Sequence, residues 1–163
     1  MTFFYRLSIM ILLLIIQFSI IPRFPLGAFE PDLLLGMTIL IGLFRGVEAG
    51  CLIGMILGLF SDANMGILLG SKALCWTQVG FAVALAGERL MIENRVVQTL
   101  VVFSGCLLAG LFQVVFYRVS AIDEPLWRLM FTSLMMAFST SLLTVPLAAL
   151  LSRMKLLPKE KHA

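Results

Sequence analysis

The stretch GLFRGVEAGCLIGMILGLFSDANMGILLG, residues 42–70, decides how this chain folds. Glycine recurs at Gly42, Gly46, Gly50, Gly54 and Gly58; Asp62 takes the next place in the register, and Gly66 and Gly70 resume it. On one helix a four-residue spacing stacks the glycines along one stripe. A stripe without side chains lets a neighbouring helix approach backbone to backbone. That is how helices associate where the surrounding lipid is as apolar as their own side chains. Compositional chance is the competing explanation in a chain with 13 glycines, but an unbroken register from Gly42 to Gly58 points to a packing seam. Arg45 and Glu48 mark a turn, so the seam needs only Gly46, Gly50, Gly54 and Gly58 on a shared helix.

Outward from that stretch the chain stays apolar. Of its 163 residues, 61% are hydrophobic and 13% charged, and the mean hydropathy is +1.06, outside the range of soluble domains. Long apolar stretches separated by short charged links indicate a bundle of spanning helices, because a backbone in lipid must satisfy its own hydrogen bonds. The expected fold class is all-α integral membrane, with six transmembrane helices over residues 1–152 and a basic tail at 153–163. The net charge of +3 sits mostly where membrane topology places it, so no nucleic-acid partner is expected. Cys51, Cys75 and Cys106 lie inside apolar stretches at spacings that match no metal site or disulfide framework, and read as small buried hydrophobes. His162 is the only histidine. No catalytic, metal or cofactor constellation is visible.

The spans read in order. Leu7 to Ile21 is the first, closed by Pro22; Leu26 with Ala28 offers a cleavage-site pattern, but the hydrophobic regions that follow favour an uncleaved helix. The link PRFPLGAFEP, residues 22–31, is stiff and interfacial, either a simple connector or a docking surface. Pro31 opens the second helix, with Glu30 and Asp32 placing negative charge where the helix dipole favours it. Leu33 to Phe44 and Val47 to Phe60 are short for a ~30 Å hydrocarbon core. They form either a hairpin with Arg45 and Glu48 at the membrane surface or one interrupted segment with both charges near its middle. The hairpin avoids burying a charge pair. Ile67 to Gly87, Val96 to Tyr117 and Leu129 to Leu151 complete the six. Glu88 to Arg95 fits an interfacial segment, Ser133, Ala137 and Ser141 form a small-residue stripe, and Pro146 should kink the last helix.

With six spans, Arg6, Arg45, Arg89, Arg95, Arg153, Lys155, Lys159 and Lys161 share one side, and Arg23, Lys72, Arg118 and Arg128 the other. The basic excess puts both termini in the cytoplasm. A five-span model splits the charges almost as unevenly, so the desolvation of Arg45 and Glu48 is what favours six. The tail residues Arg153, Lys155, Lys159 and Lys161 are a topological anchor, an attraction to anionic lipid, or a contact for a cytoplasmic protein. Asp62 is the residue to examine first. An acid at the end of a glycine stripe is costly in lipid unless paired or wet. The leading reading is a solvated terminal charge; the others are a tie holding the loop, a docking point, or ion coupling, with Lys72 as a candidate partner. Gln17, Thr38, Thr77, Gln78, Ser104, Gln113 and a few hydroxyls on the last helix are a thin polar inventory for a transporter.

The segment PDLLLGMTILIGLFRG at residues 31–46, followed by GMILGLFSDANMGILLG at 54–70, resembles the MreD family of bacterial rod-shape-determining membrane proteins. That family shows a Pro-Asp-Leu opening to its second helix, a basic residue and glycine at the following turn, and a glycine-rich helix ending in Leu-x-x-Asp before another glycine. Pro31, Asp32, Arg45, Gly46, Gly58, Asp62, Gly66 and Gly70 occupy those places here. The resemblance implies a non-enzymatic scaffold of the rod elongation complex in the bacterial inner membrane, supporting peptidoglycan synthesis. Its implied partners are an MreC-like membrane protein, the actin-like MreB filament and the cell-wall synthases. It also implies a bundle similar to the membrane subunits of energy-coupling-factor vitamin transporters, and so a rival reading as a small-molecule binding subunit. Against the rival, the chain has no alanine before Ala28 for the docking pattern of those subunits, and few polar residues for a vitamin pocket.

Overall fold

The computed structural model describes residues 31–65, 70–90, 94–119 and 125–153, with Ser8, Ile15, Gln17 and Ser19. Described side chains in the last stretch end at Thr144. These residues form five helices: α1 (Leu33–Arg45), α2 (Val47–Met65), α3 (Ser71–Gly87), α4 (Arg95–Val119) and α5 (Leu126–Arg153). No strand occurs among them. Val47–Asn64, Arg95–Val119 and Leu126–Thr144 are long and apolar enough to cross a membrane, and α1 is a shorter apolar helix. The expected first span at residues 7–21 lies outside the described residues apart from the isolated positions just named.

Several boundaries differ from the sequence reading. Pro31 does not open α1: it precedes Asp32, which is the N-cap and accepts the Leu35 N–H at 3.0 Å through its own carboxylate. An Asp in that place satisfies a backbone donor that a proline could not. Gly46 belongs to no helix. It is the single residue between α1 and α2, at φ 89°, a left-handed conformation that glycine enters without steric penalty. Its N–H closes α1 on the Gly42 carbonyl at 3.0 Å. The α1–α2 hairpin thus turns on one residue beside Arg45 and Glu48. Helix α2 runs past Asp62 to Met65, and α5 continues through Pro146 to Arg153.

Helix α1 lies at the centre. Every residue from Leu33 to Leu43 is buried, and α1 touches each of the other four helices. Its sequence has no polar face, which is the pattern of a helix enclosed on all sides. Leu35, Ile39 and Leu40 are fully buried with Val79 of α3 and Val102 of α4 in one core.

Glycines set how closely the helices come. A Cβ on Gly50 would lie 2.8 Å from the Gly42 Cα and 2.9 Å from the Gly80 carbonyl oxygen, and one on Gly80 would lie 2.5 Å from the Gly50 carbonyl oxygen. Three helices therefore meet at bare backbone. Further along α2, Gly54 faces the Trp76 carbonyl, 2.6 Å from where its Cβ would stand, and Gly58 faces the backbone of Ala73 and Lys72. The contact between α2 and α3 is the most extensive in the fold. On the other side Gly110 of α4 faces Ser133 of α5, and Gly36 of α1 faces Thr144 of α5.

Replacement Gly54→Ala is expected to lower stability by about 1–3 kcal/mol, because the methyl meets carbonyl backbone that cannot step aside. Thermal unfolding in mild detergent measures it. Leu52→Ala, on an exposed position of the same helix, is the control and should leave the midpoint nearly unchanged.

Candidate functional site

The antiparallel hairpins bring the start of α1, the end of α2 and the start of α3 to one end of the bundle. There sit the buried charged residues of the described chain: Asp32, Asp62 and Lys72. The opposite end carries Arg45, half-buried, and Glu48, Glu88, Arg89 and Arg95, all exposed.

Asp62 is 3% exposed, so the solvated-charge reading is corrected. Its carboxylate accepts the Gly70 N–H at 2.9 Å, the Lys72 N–H at 3.1 Å and the Ala73 N–H at 3.2 Å, and the Ser71 hydroxyl at 3.4 Å. These are the free amides of the first turn of α3, which every helix must satisfy from outside itself. Gly70 occupies the N-cap in a left-handed conformation, φ 97°, and has no side chain to do so. Asp62 therefore caps α3 from the neighbouring helix, where its negative charge also meets the positive end of the helix dipole. The glycine before it explains the reach: with Gly58 against Ala73, the last turn of α2 lies directly beside the first turn of α3.

Lys72, 9% exposed, folds inward. Its Nζ donates to the Ser61 hydroxyl at 3.1 Å and lies 5.8 Å from the centre of the Trp76 ring. It also stands within Coulombic reach of Asp32. The charge count groups Lys72 with Arg23, Arg118 and Arg128; its side chain is buried at the Asp32–Asp62 end of the bundle.

Asp32 ties the start of α1 to α5. Its N–H donates to the Thr140 Oγ of α5 at 2.9 Å. Gln17 bridges the same place, donating to the Pro31 carbonyl at 3.2 Å and accepting the Leu33 N–H at 3.0 Å. Thr140 is fully buried, so this hydroxyl is committed to the interior. Several other hydroxyls are satisfied within their own helices: Thr38 on Leu34, Thr77 on Ala73, Ser104 on Val101 and Thr144 on Thr140.

The structure thus brings Pro31, Asp32, Asp62 and Gly70 to one end and sets Arg45 and Gly46 at the other. Gly50, Gly54 and Gly58 lie between the two ends. Gly66, Lys155, Lys159 and Lys161 lie outside the described residues, and Arg153 ends α5. Sequence reasoning missed Gly36, Ser61, Gly80 and Thr140. The available signal for Thr140 was the run Ser133, Ala137, Thr140 and Thr144, at the helical spacing of one inward face; Ser141 is buried as well. Chemically the arrangement is a set of completed hydrogen bonds. The lone pairs of Asp62 are engaged by backbone, which suits holding two helices together.

A bundle of apolar helices, three of them able to cross a bilayer, with its buried charges spent on helix ends, defines an α-helical membrane protein. The family model described as rod shape-determining protein MreD matches residues 1–155. The chain belongs to the MreD family, a family of shape-determining proteins rather than a known family of enzymes. No curated protein and no solved structure matches it.

Asp62→Ala is expected to destabilise the protein by at least about 2 kcal/mol, because it leaves the buried N–H groups at the start of α3 without their acceptor. Asp62→Asn, which keeps one acceptor oxygen, should fall between it and the unaltered protein. Thr140→Val removes one acceptor and should cost about 1 kcal/mol. Thermal unfolding of the three variants gives the order.

Proposed function

We propose that this chain is a non-enzymatic membrane scaffold of the bacterial rod elongation complex, a six-span protein of the inner membrane with both termini cytoplasmic. In this reading it holds the transmembrane helix of an MreC-like partner and helps connect periplasmic cell-wall synthases to the MreB filament. The observation that carries it is the match to the MreD family over residues 1–155. The packing supports it: bare-backbone contacts at Gly50, Gly54 and Gly58 and the Asp62 cap make a bundle with little internal freedom, which is what a scaffold needs. The orientation is supported by Arg45, Arg89 and Arg95 at one end of the described helices, where α5 also finishes with Arg153. That distribution follows the excess of basic residues on cytoplasmic faces.

Purification of the tagged protein from native membranes in mild detergent tests the reading. An MreC-like protein and cell-wall synthases should accompany it, and Gly54→Leu, which forces α2 off α3, should reduce their recovery several-fold. Recovery of a nucleotide-hydrolysing pair with a coupling membrane subunit would instead identify a transporter's binding subunit and overturn the scaffold.

A further inference from the structure

The helices that face lipid are of two heights. On α2 the apolar band runs from Glu48 to Asn64, both exposed, about 24 Å at 1.5 Å per residue. Helix α3 rises about 26 Å from Ser71 to Glu88, the residue that follows its last turn. On α4 the apolar band runs from Arg95 to Arg118, about 35 Å, and on α5 from Arg128 to Arg153, about 38 Å. The hydrocarbon core of an ordinary bilayer is ~30 Å thick. Both sides can cross a bilayer, but one falls a few ångströms below that thickness and the other exceeds it.

The two mismatches are not equivalent. Long helices shorten their reach by tilting, and α4 and α5 carry arginine in their last turns, a residue type whose apolar stem lets its charge reach the interface. A short helix has no such remedy. The ends of α2 carry Glu48 and Asn64, and Asn64 is turned back onto the Phe60 carbonyl at 2.9 Å. The one long cationic side chain at this end of the hairpin, Lys72, is folded inward onto Ser61. The hairpin cannot slide to relieve the mismatch, because Gly54 and Gly58 pin α2 to α3 and Thr140 pins the start of α1 to α5. Yet its outer surface is apolar and open: Leu52, Leu59 and Phe60 on α2, and Leu74, Phe81 and Leu85 on α3, are exposed.

We propose that the α2–α3 face seats a locally thinned bilayer and selects phospholipids with short acyl chains, while the α4–α5 face does not. The protein then carries a built-in step in membrane thickness across its own width. This inference rests on the chain lying in lipid and not on the identity of its protein partners.

The test uses tryptophan reporters on the two faces, Phe81→Trp on α3 and Val115→Trp on α4, both at exposed positions. Each is made with Trp127→Phe to remove the exposed native tryptophan; Trp76 is buried and common to both. The proteins are reconstituted in phosphatidylcholine vesicles containing brominated lipid as quencher, and myristoleoyl, oleoyl or erucoyl phosphatidylcholine competes for the protein surface. Myristoleoyl lipid should relieve quenching at position 81 several-fold better than erucoyl lipid, with no such preference at position 115. Equal preference at the two faces overturns the proposal. So does a reporter at position 81 that brominated lipid fails to quench, which means that protein covers the face. The unaltered protein provides a second measurement: its unfolding midpoint should fall as acyl chains lengthen, and a midpoint that rises with chain length also overturns the proposal.

Discussion

Where Gly42, Gly50 and Gly80 meet, three helices touch with no side chain between them. In lipid there is no hydrophobic drive to gather apolar helices, so close van der Waals contact and interhelical hydrogen bonds have to supply it. This contact supplies the first and makes the second possible. A methyl group at any of the three would push α1 or α2 away from α3. The central place of α1 depends on that approach, as does the meeting of α2 and α3 along Gly54 and Gly58. The Asp62 cap follows from it, because a carboxylate has a short reach and finds the amides of Lys72 and Ala73 only when the two backbones run side by side.

The polar end of the bundle shows how charges are tolerated inside such a structure. Burying a carboxylate or an ammonium is costly unless its hydrogen bonds are completed. Asp62 completes its own with backbone donors that α3 could not satisfy itself, and Lys72 does so with Ser61 and the face of Trp76. Asp32 caps α1 while its own N–H reaches α5. Each charge thereby solves a second problem, an unsatisfied helix end, that lipid would otherwise punish. The acidic residues Asp32 and Asp62 thus cap two of the helix starts, those of α1 and α3.

Membership of the MreD family gives this construction a context. Shape determination is the family's role, and in this member the helices interlock at backbone level, where close packing leaves little room for a shift. The unequal heights of its two sides are set by helix length, and the pinned hairpin is what keeps them from being evened out.

Much of the architecture was legible in the sequence because it is local. Hydropathy identified the helices to within a few residues, and the register of glycines announced a close contact. Arg45 and Glu48 marked the turn between α1 and α2. The error at Gly46 is instructive. The four-residue period reads as one stripe, but the chain reverses at Gly46, so Gly42 and Gly50, equally spaced on either side of it, become opposing walls of a hairpin. Periodicity reports which residues share a face only while the helix continues. The partner of each face was beyond it. Nothing near Gly80 or Thr140 in sequence names Gly50 or Asp32 as a neighbour, and the exposure of Asp62 could not be read from a position at a helix end. The sequence by itself determined an apolar helical bundle with a glycine-lined hairpin and its family. Tertiary structure decided which helix fills the centre and what the acids bind, because these depend on how far separate helices can approach before backbone meets backbone.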